Sequence, residues 1–210
     1  MPKAIAQADG RPNTARSDGV GTTRDRLVTA MGVALARSGW NGVTTRQVAT
    51  LAGVNQALVH YHFSSMDALR REATVELLAQ EVSGPTLALL GAPTVREGLR
   101  ACLAALGELD PRSDTSLVLF EAMLASARDP ELRTMLHRAL VSFRDLVAER
   151  IRHDGGSDPA GSAIAITAAL DGVLLHRLVD REVDPSHLAD ALVAALQLPD
   201  GDRAPARSKP

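Results

Sequence analysis

Residues 44–63 read TTRQVATLAGVNQALVHYHF, and this stretch decides the fold. Thr44 and Gln47 stand at the spacing of a capping box, which predicts a helix beginning at Thr45. Val48 and Leu51 are expected to face inward from it. Gly53 can adopt the left-handed conformation that ends a helix. Val54 supplies an apolar plug for the angle that follows. Asn55 is a good cap for a second short helix, from which Leu58 is expected to point inward. Two short helices joined by a tight glycine turn, with an apolar residue behind it, make a helix-turn-helix pattern. A plain helical hairpin has the same spacing.

On the N-terminal side, residues 22–38 predict a helix. Thr22 or Thr23 caps it, Leu27, Ala30, Met31, Ala34 and Leu35 form one stripe, and Gly39 stops it. Residues 1–21 lack any periodicity and are expected to be a disordered arm. Beyond the motif a helix opens near Ser65, with Asp67 and Glu72 favouring its first turns, and Gly84-Pro85 is expected to end it. The remainder predicts helices at about 94–109, 115–127, 130–153, 160–180 and 185–198, divided by glycine and proline breaks. SLVLF, at 116–120, lies inside a longer helical pattern, so no strand is expected and the fold class is all-α.

Composition agrees with that class. Hydrophobic residues make up 45% of the 210-residue chain and aromatics only 2%, so the core must use Leu, Val, Ala and Met, a mixture that favours helices. The net charge of −2 is unevenly placed. Residues 1–71 hold nine Lys and Arg against four Asp and Glu, whereas residues 72–210 hold fourteen against twenty-one. A basic front and an acidic back restrict any polyanionic partner to the front, although a split of this size also arises by chance. The lone Cys102 reads as a reduced core residue. No apolar run marks a secretory signal, and no segment nears ~18 uninterrupted apolar residues, so no membrane span and a cytoplasmic location are expected.

The predicted helix 130–153 has a continuous apolar stripe that includes Leu136, Leu140 and Phe143. AIAITAALDGVLLHRLV, residues 163–179, is apolar nearly all round and so is expected to be buried on all sides. Its small residues Ala165, Ala168, Ala169 and Gly172 would let another helix approach closely. With Leu140 they are the candidate dimer interface, in a four-helix bundle with a second copy. A central helix buried within a monomer is the other solution.

Extended to TTRQVATLAGVNQALVHYHFSSMDAL, residues 44–69, the motif resembles the DNA-binding signature of TetR-type transcription regulators. TRDRLVTAMGVALARSGWNGVT, residues 23–44, is similar to the family's opening helix and its Gly39-Trp40 loop. The resemblance covers about residues 22–72, and DPELRTML and LDGVLLHRLVD fit it more loosely. It implies that Thr44 and Thr45 hold a phosphate at a helix N-terminus. Arg46 would reach a guanine edge. Gln56 and Ala57 would open a recognition helix that contacts adenine and a thymine methyl in the major groove. His60 and Tyr61 would bind phosphate, with His62 near the same rim. Phe63 would enter the core, and Ser65 would cap the next helix beside a phosphate.

Two departures stand out. Met66 replaces the family's usual Lys, and His60 its commoner Tyr, so backbone grip would fall to Arg70, Arg71 or the arm residues Arg11, Arg16 and Arg24.

The expected architecture is an N-terminal three-helix DNA-binding domain at 22–71, then a helical effector-binding and dimerisation domain at 72–198 and a disordered tail at 199–210. Candidate effector contacts are Phe120, Met123, Phe143 and His176, with Asp171 as a further polar anchor. Plain core or interface roles remain open for all five. The expected partners are double-stranded DNA with a palindromic operator, a second copy of the chain and a hydrophobic small molecule. No cofactor, metal or enzymatic activity is expected, since His60 and His62 point apart at their spacing and no catalytic set appears. A constitutive regulator or a DNA-binding adaptor without an effector is the alternative.

Overall fold

The computed structural model describes residues 21–199. The expected arm and tail lie outside them, apart from Gly21 and Pro199. Among the described residues there are nine α-helices and no strand. They are α1 (Thr23–Ser38), α2 (Thr45–Ala52), α3 (Gln56–His62), α4 (Met66–Gly91), α5 (Val95–Glu108), α6 (Asp114–Ala125), α7 (Pro130–His153), α8 (Pro159–Val179) and α9 (Ser186–Ala195).

Side-chain caps set most of the helix starts. Thr22 and Asp25 close a full capping box on α1. Asp129 and Asp158 cap α7 and α8, each just ahead of a proline whose missing N–H is no loss in a first turn. Three arginines close helix C-termini from neighbouring elements. Arg26 donates to the Ala52 and Gly53 carbonyls, Arg150 to Leu90 and Ala92, and Arg177 to Leu106, Gly107 and Leu109. Each places a cation at the negative end of a helix dipole and satisfies carbonyls that have no helical partner.

Two apolar cores result. Leu27, Met31, Leu35, Val48, Val59 and Phe63 build the front one, joined by Leu69 and Ala73 of α4 and Val118 of α6. The second gathers Leu89, Leu99, Leu103, Val147, Ile151 and Ile166. The helix α4 thus enters both.

Two expectations fail here. First, α4 runs on through Gly84-Pro85 to Gly91. An interior proline removes one hydrogen bond and crowds the preceding turn, but Pro85 is buried and the last turns pack tightly on α5. The approach is so close that a Cβ on Gly98 would come within 2.2 Å of the Leu89 carbonyl oxygen. Tertiary burial overrides the local break. Second, α8 is not buried all round. Its Ala163, Ile166, Leu170 and Val173 face the second core, but Ile164, Leu175 and Val179 are exposed, Val179 at 82%. By length and mean hydropathy, 1.5, α8 would suffice to cross a bilayer, which the count of uninterrupted apolar residues did not register.

Candidate nucleic-acid interface and ligand cavity

The α2–α3 turn is built as the motif requires. Gly53 takes the left-handed conformation (φ 64°), and the Val54 N–H reaches back to the Ala49 carbonyl at 3.0 Å, closing a Schellman turn. Arg26 of α1 braces the same turn, a contact with no local sequence signal. Thr44 caps α2 through the Gln47 N–H at 3.3 Å, but the return half of the box is absent. The Gln47 side chain instead donates to Ser38 at 2.8 Å, tying α2 to the end of α1. Asn55 caps α3 through the Ala57 N–H at 2.9 Å. Val59, not Leu58, is the residue that α3 buries, and Leu51 and Leu58 are both exposed. With one buried position in seven residues, α3 has too few turns for its period to settle which neighbour faces inward.

Most of the residues expected to meet DNA are open to solvent. Thr44, Arg46, Gln56, Ala57, His60 and Ser65 are exposed, Thr45 and His62 are half-buried, and Tyr61 is 81% exposed, its ring edge-to-face with His62 at 5.0 Å. Thr45 and Arg46 occupy the first turn of α2, where N–H groups have no helical acceptor. Phe63 is buried as expected, with the Arg24 guanidinium 4.9 Å above its ring. Met66 packs against the front core.

The proposed basic substitutes for the missing Lys are engaged elsewhere. Arg24 forms a two-pronged ion pair with Glu72. Arg70 pairs with Asp67 and lies 5.6 Å from the centre of the Trp40 ring. Arg71 crosses to α7, where it donates to Asp129 at 2.8 Å and pairs with Glu131. Arg11 and Arg16 lie outside the described residues. Arg46, by contrast, has no partner among the described residues.

Two polar ties join the front to the back and a third braces α6 against α4. Besides Arg71, the Trp40 N–H donates to Glu121 of α6 at 2.7 Å, and Ser116 of α6 donates to Glu81 of α4 at 2.8 Å. At Asp129 desolvation acts upward. The Arg71 hydrogen bond and the N–H groups of Leu132 and Glu131 outweigh it and hold the carboxyl below its ordinary value.

A cavity of about 530 Å³ opens between α4, α5, α7 and α8. Val75, Leu78, Val82 and Pro85 come from α4, Cys102 and Leu106 from α5, Leu140 and Phe143 from α7, and Thr167, Leu170 and Asp171 from α8. Of the expected effector contacts, Phe143 and Asp171 line it. Phe120, Met123 and His176 do not, because α6 and the end of α8 lie outside its walls. Leu140, expected at a dimer interface, is half-buried and lines the cavity, while Ala168 is exposed and Ala165, Ala169 and Gly172 are half-buried along α8. Most of the α4 lining, Val75, Leu78, Ala79 and Val82, lies within the predicted helix, where apolar residues at helical spacing look the same whether they line a cavity or a core. Burial pushes the Cys102 thiol up to about 12, so it is a wall atom rather than a nucleophile. No group of three His, Cys, Asp or Glu is gathered for a metal among the described residues.

Comparison with known proteins agrees with this geometry. Residues 30–73 match the family model of the bacterial regulatory proteins of the tetR family, and residues 91–198 match that of the tetracyclin repressor-like C-terminal domain. Among solved structures, a transcriptional regulator from Streptomyces coelicolor A3(2) superposes with a TM-score of 0.69 at 26% identity, covering 83% of this chain and 98% of its own. A TetR-family member from Streptomyces coelicolor A3 gives 0.64 at 26% identity, over 84% and 99%. The multidrug binding protein EbrR, complexed with proflavin, gives 0.61 at 25% identity, over 83% and 99%. No curated protein matches the sequence significantly.

Proposed function

Because the chain belongs to the TetR family of bacterial DNA-binding transcription regulators, we propose that it is a homodimeric, cytoplasmic repressor released from its operator by a small molecule in the α4–α8 cavity. The supporting observation is the course of α4. Its first turns belong to the front core and its later turns line the cavity, so a ligand there acts on the helix that carries the DNA-binding unit. Each subunit would lay α3 in a major groove of a palindromic operator. Arg46, Gln56 and Ala57 would read base edges, and Thr44, Thr45, His60, Tyr61, His62 and Ser65 would hold the backbone.

The exposed apolar stripe of α8 is the surface on which a second copy would close a four-helix bundle, fixing the distance between the two recognition helices. A ligand that binds better to a geometry unsuited to that distance shifts the population off DNA by its difference in affinity. The drug-binding role of EbrR, a similar protein, supports the small-molecule part of this reading.

The test is a gel shift with DNA from upstream of the chain's own coding region, at two salt concentrations and against unrelated competitor. Selective binding that weakens steeply with salt supports the reading. Affinity no better than for competitor DNA counts against it, and selective binding that no small molecule releases favours a constitutive regulator.

A further inference from the structure

We propose that the cavity between α4, α5, α7 and α8 selects an apolar molecule bearing one positive charge, with Asp171 as its counter-ion. The inference rests on the reading of this cavity as the effector site. The walls are aliphatic or aromatic, from Leu78 and Val82 on one side to Phe143 and Leu170 on the other. The remaining polar lining groups, Ser83, Thr86, Ser142 and Thr167, are neutral, and the Thr167 hydroxyl is already engaged, donating to the Ala163 carbonyl at 2.8 Å.

Asp171 is the one formal charge in the lining, and among the described residues it accepts no hydrogen bond and closes no ion pair within 4 Å. Arg144 of α7 acts on it only from a distance. Asp171 is exposed at the rim of the cavity, and the apolar walls beside it push its proton affinity up, with Arg144 opposing. A ligand ammonium supplies what Arg144 does not: an opposite charge with N–H donors in direct contact, on a body whose apolar surface the walls can cover. An anion would meet repulsion, and a neutral molecule would leave the carboxylate unpaired.

Asp171 also falls in helical register with the exposed Ala168 and Leu175, so it stands where the cavity meets the outer face of α8. A cation from a second copy is therefore the competing partner, and the experiment separates the two.

Full-length protein is titrated calorimetrically with decylamine, decanol and decanoate, which share one chain and differ in charge. Decylamine is expected to bind on the order of 10-fold or more tighter than decanol, and decanoate weakest. Asp171→Asn, folded by its melting curve, should bring decylamine and decanol to within about 2-fold while sedimenting as wild type. Ala139→Phe, which fills the cavity, should abolish binding of all three. The charge assignment is overturned, with the effector cavity left standing, if decanol or decanoate binds as well as decylamine, or if Asp171→Asn keeps the preference. It is also overturned if Asp171→Asn changes the oligomeric state, because Asp171 then serves the second copy. If none of the three binds, or Ala139→Phe binds them unchanged, the cavity reading fails with it.

Discussion

Arg24, Arg46, Arg70 and Arg71 divide residue by residue into those engaged within the fold and the one proposed to reach DNA. Arg24, Arg70 and Arg71 are all held in internal ion pairs, while Arg46 has no partner among the described residues. Arg46→Ala is therefore expected to lower operator affinity by about 10- to 100-fold and relax specificity at one base pair, as read by fluorescence anisotropy on single-base operator variants. Arg24→Ala should instead lower the melting temperature and leave the salt slope of DNA binding unchanged. The sequence names the arginines but not their partners. Glu72, Asp129 and Glu131 lie 48 to 60 residues away along the chain from the groups they bind, so no local pattern reports them. A carboxylate makes the complementary case. Asp154, buried at the junction of α5 and α7, accepts from the Val95 N–H and from Arg150. Desolvation pulls its proton affinity up, but His153, the Val95 N–H and Arg150 together hold it below the ordinary carboxylate value. A depressed folded value stabilises above the unfolded value near ~3.9 and is lost as pH falls through the folded one. Asp154→Asn is thus expected to cost roughly 3 kcal/mol at neutral pH and to flatten the loss of stability below about pH 4, as measured by urea unfolding across pH.

At the scale of the element, α4 and α8 show where pattern reading succeeds and where it stops. The starts of α1, α2, α3 and α4 are legible because each is set by a hydroxyl, carboxamide or carboxylate within three residues. The Gly53 turn is legible for the same reason. The end of α4 is not, because the energy that keeps it helical past Pro85 comes from α5, and the key residue is Gly98. Gly98→Ala, otherwise a favourable helix substitution, is expected to destabilise the protein by about 1–3 kcal/mol, since the added methyl meets the rigid backbone of Leu89 rather than a movable side chain. Thermal unfolding measures it, and an unchanged or raised melting temperature would show that the two helices are free to part. Reading α8 as buried on every side was half right. It is apolar on nearly every face apart from Asp171, but the protein supplies a packing partner for one face only.

The whole molecule is two cores sharing one helix, and its functional behaviour depends on how firmly they are joined. Arg71 ties α4 to the cap of α7, and the Trp40–Glu121 bond ties the α1–α2 connection to α6. Arg71→Met keeps the length of the side chain but removes the tie. It is expected to leave operator binding within a few-fold of wild type while shrinking the ratio of effector affinities measured with and without DNA, a ratio that linkage requires to be the same from either direction. An undiminished ratio would move the coupling to α6. The proposed second join is between copies. Its proposed surface is the outer face of α8, where Ile164, Leu175 and Val179 are open to solvent on either side of Asp171. A second carboxylate on this face, four residues from the exposed Asp171, would add like-charge repulsion and a further desolvation cost on association. Leu175→Glu is accordingly expected to sediment as a folded monomer, because the side chain contributes little to the second core. A monomer holds one half-site at a time and loses the gain of a linked second contact, which is on the order of 10² to 10⁴ in affinity. Operator binding should fall by that range while the melting of the front core is preserved. A Leu175→Glu protein that remains dimeric would place the interface on another face and detach the spacing of the recognition helices from α8.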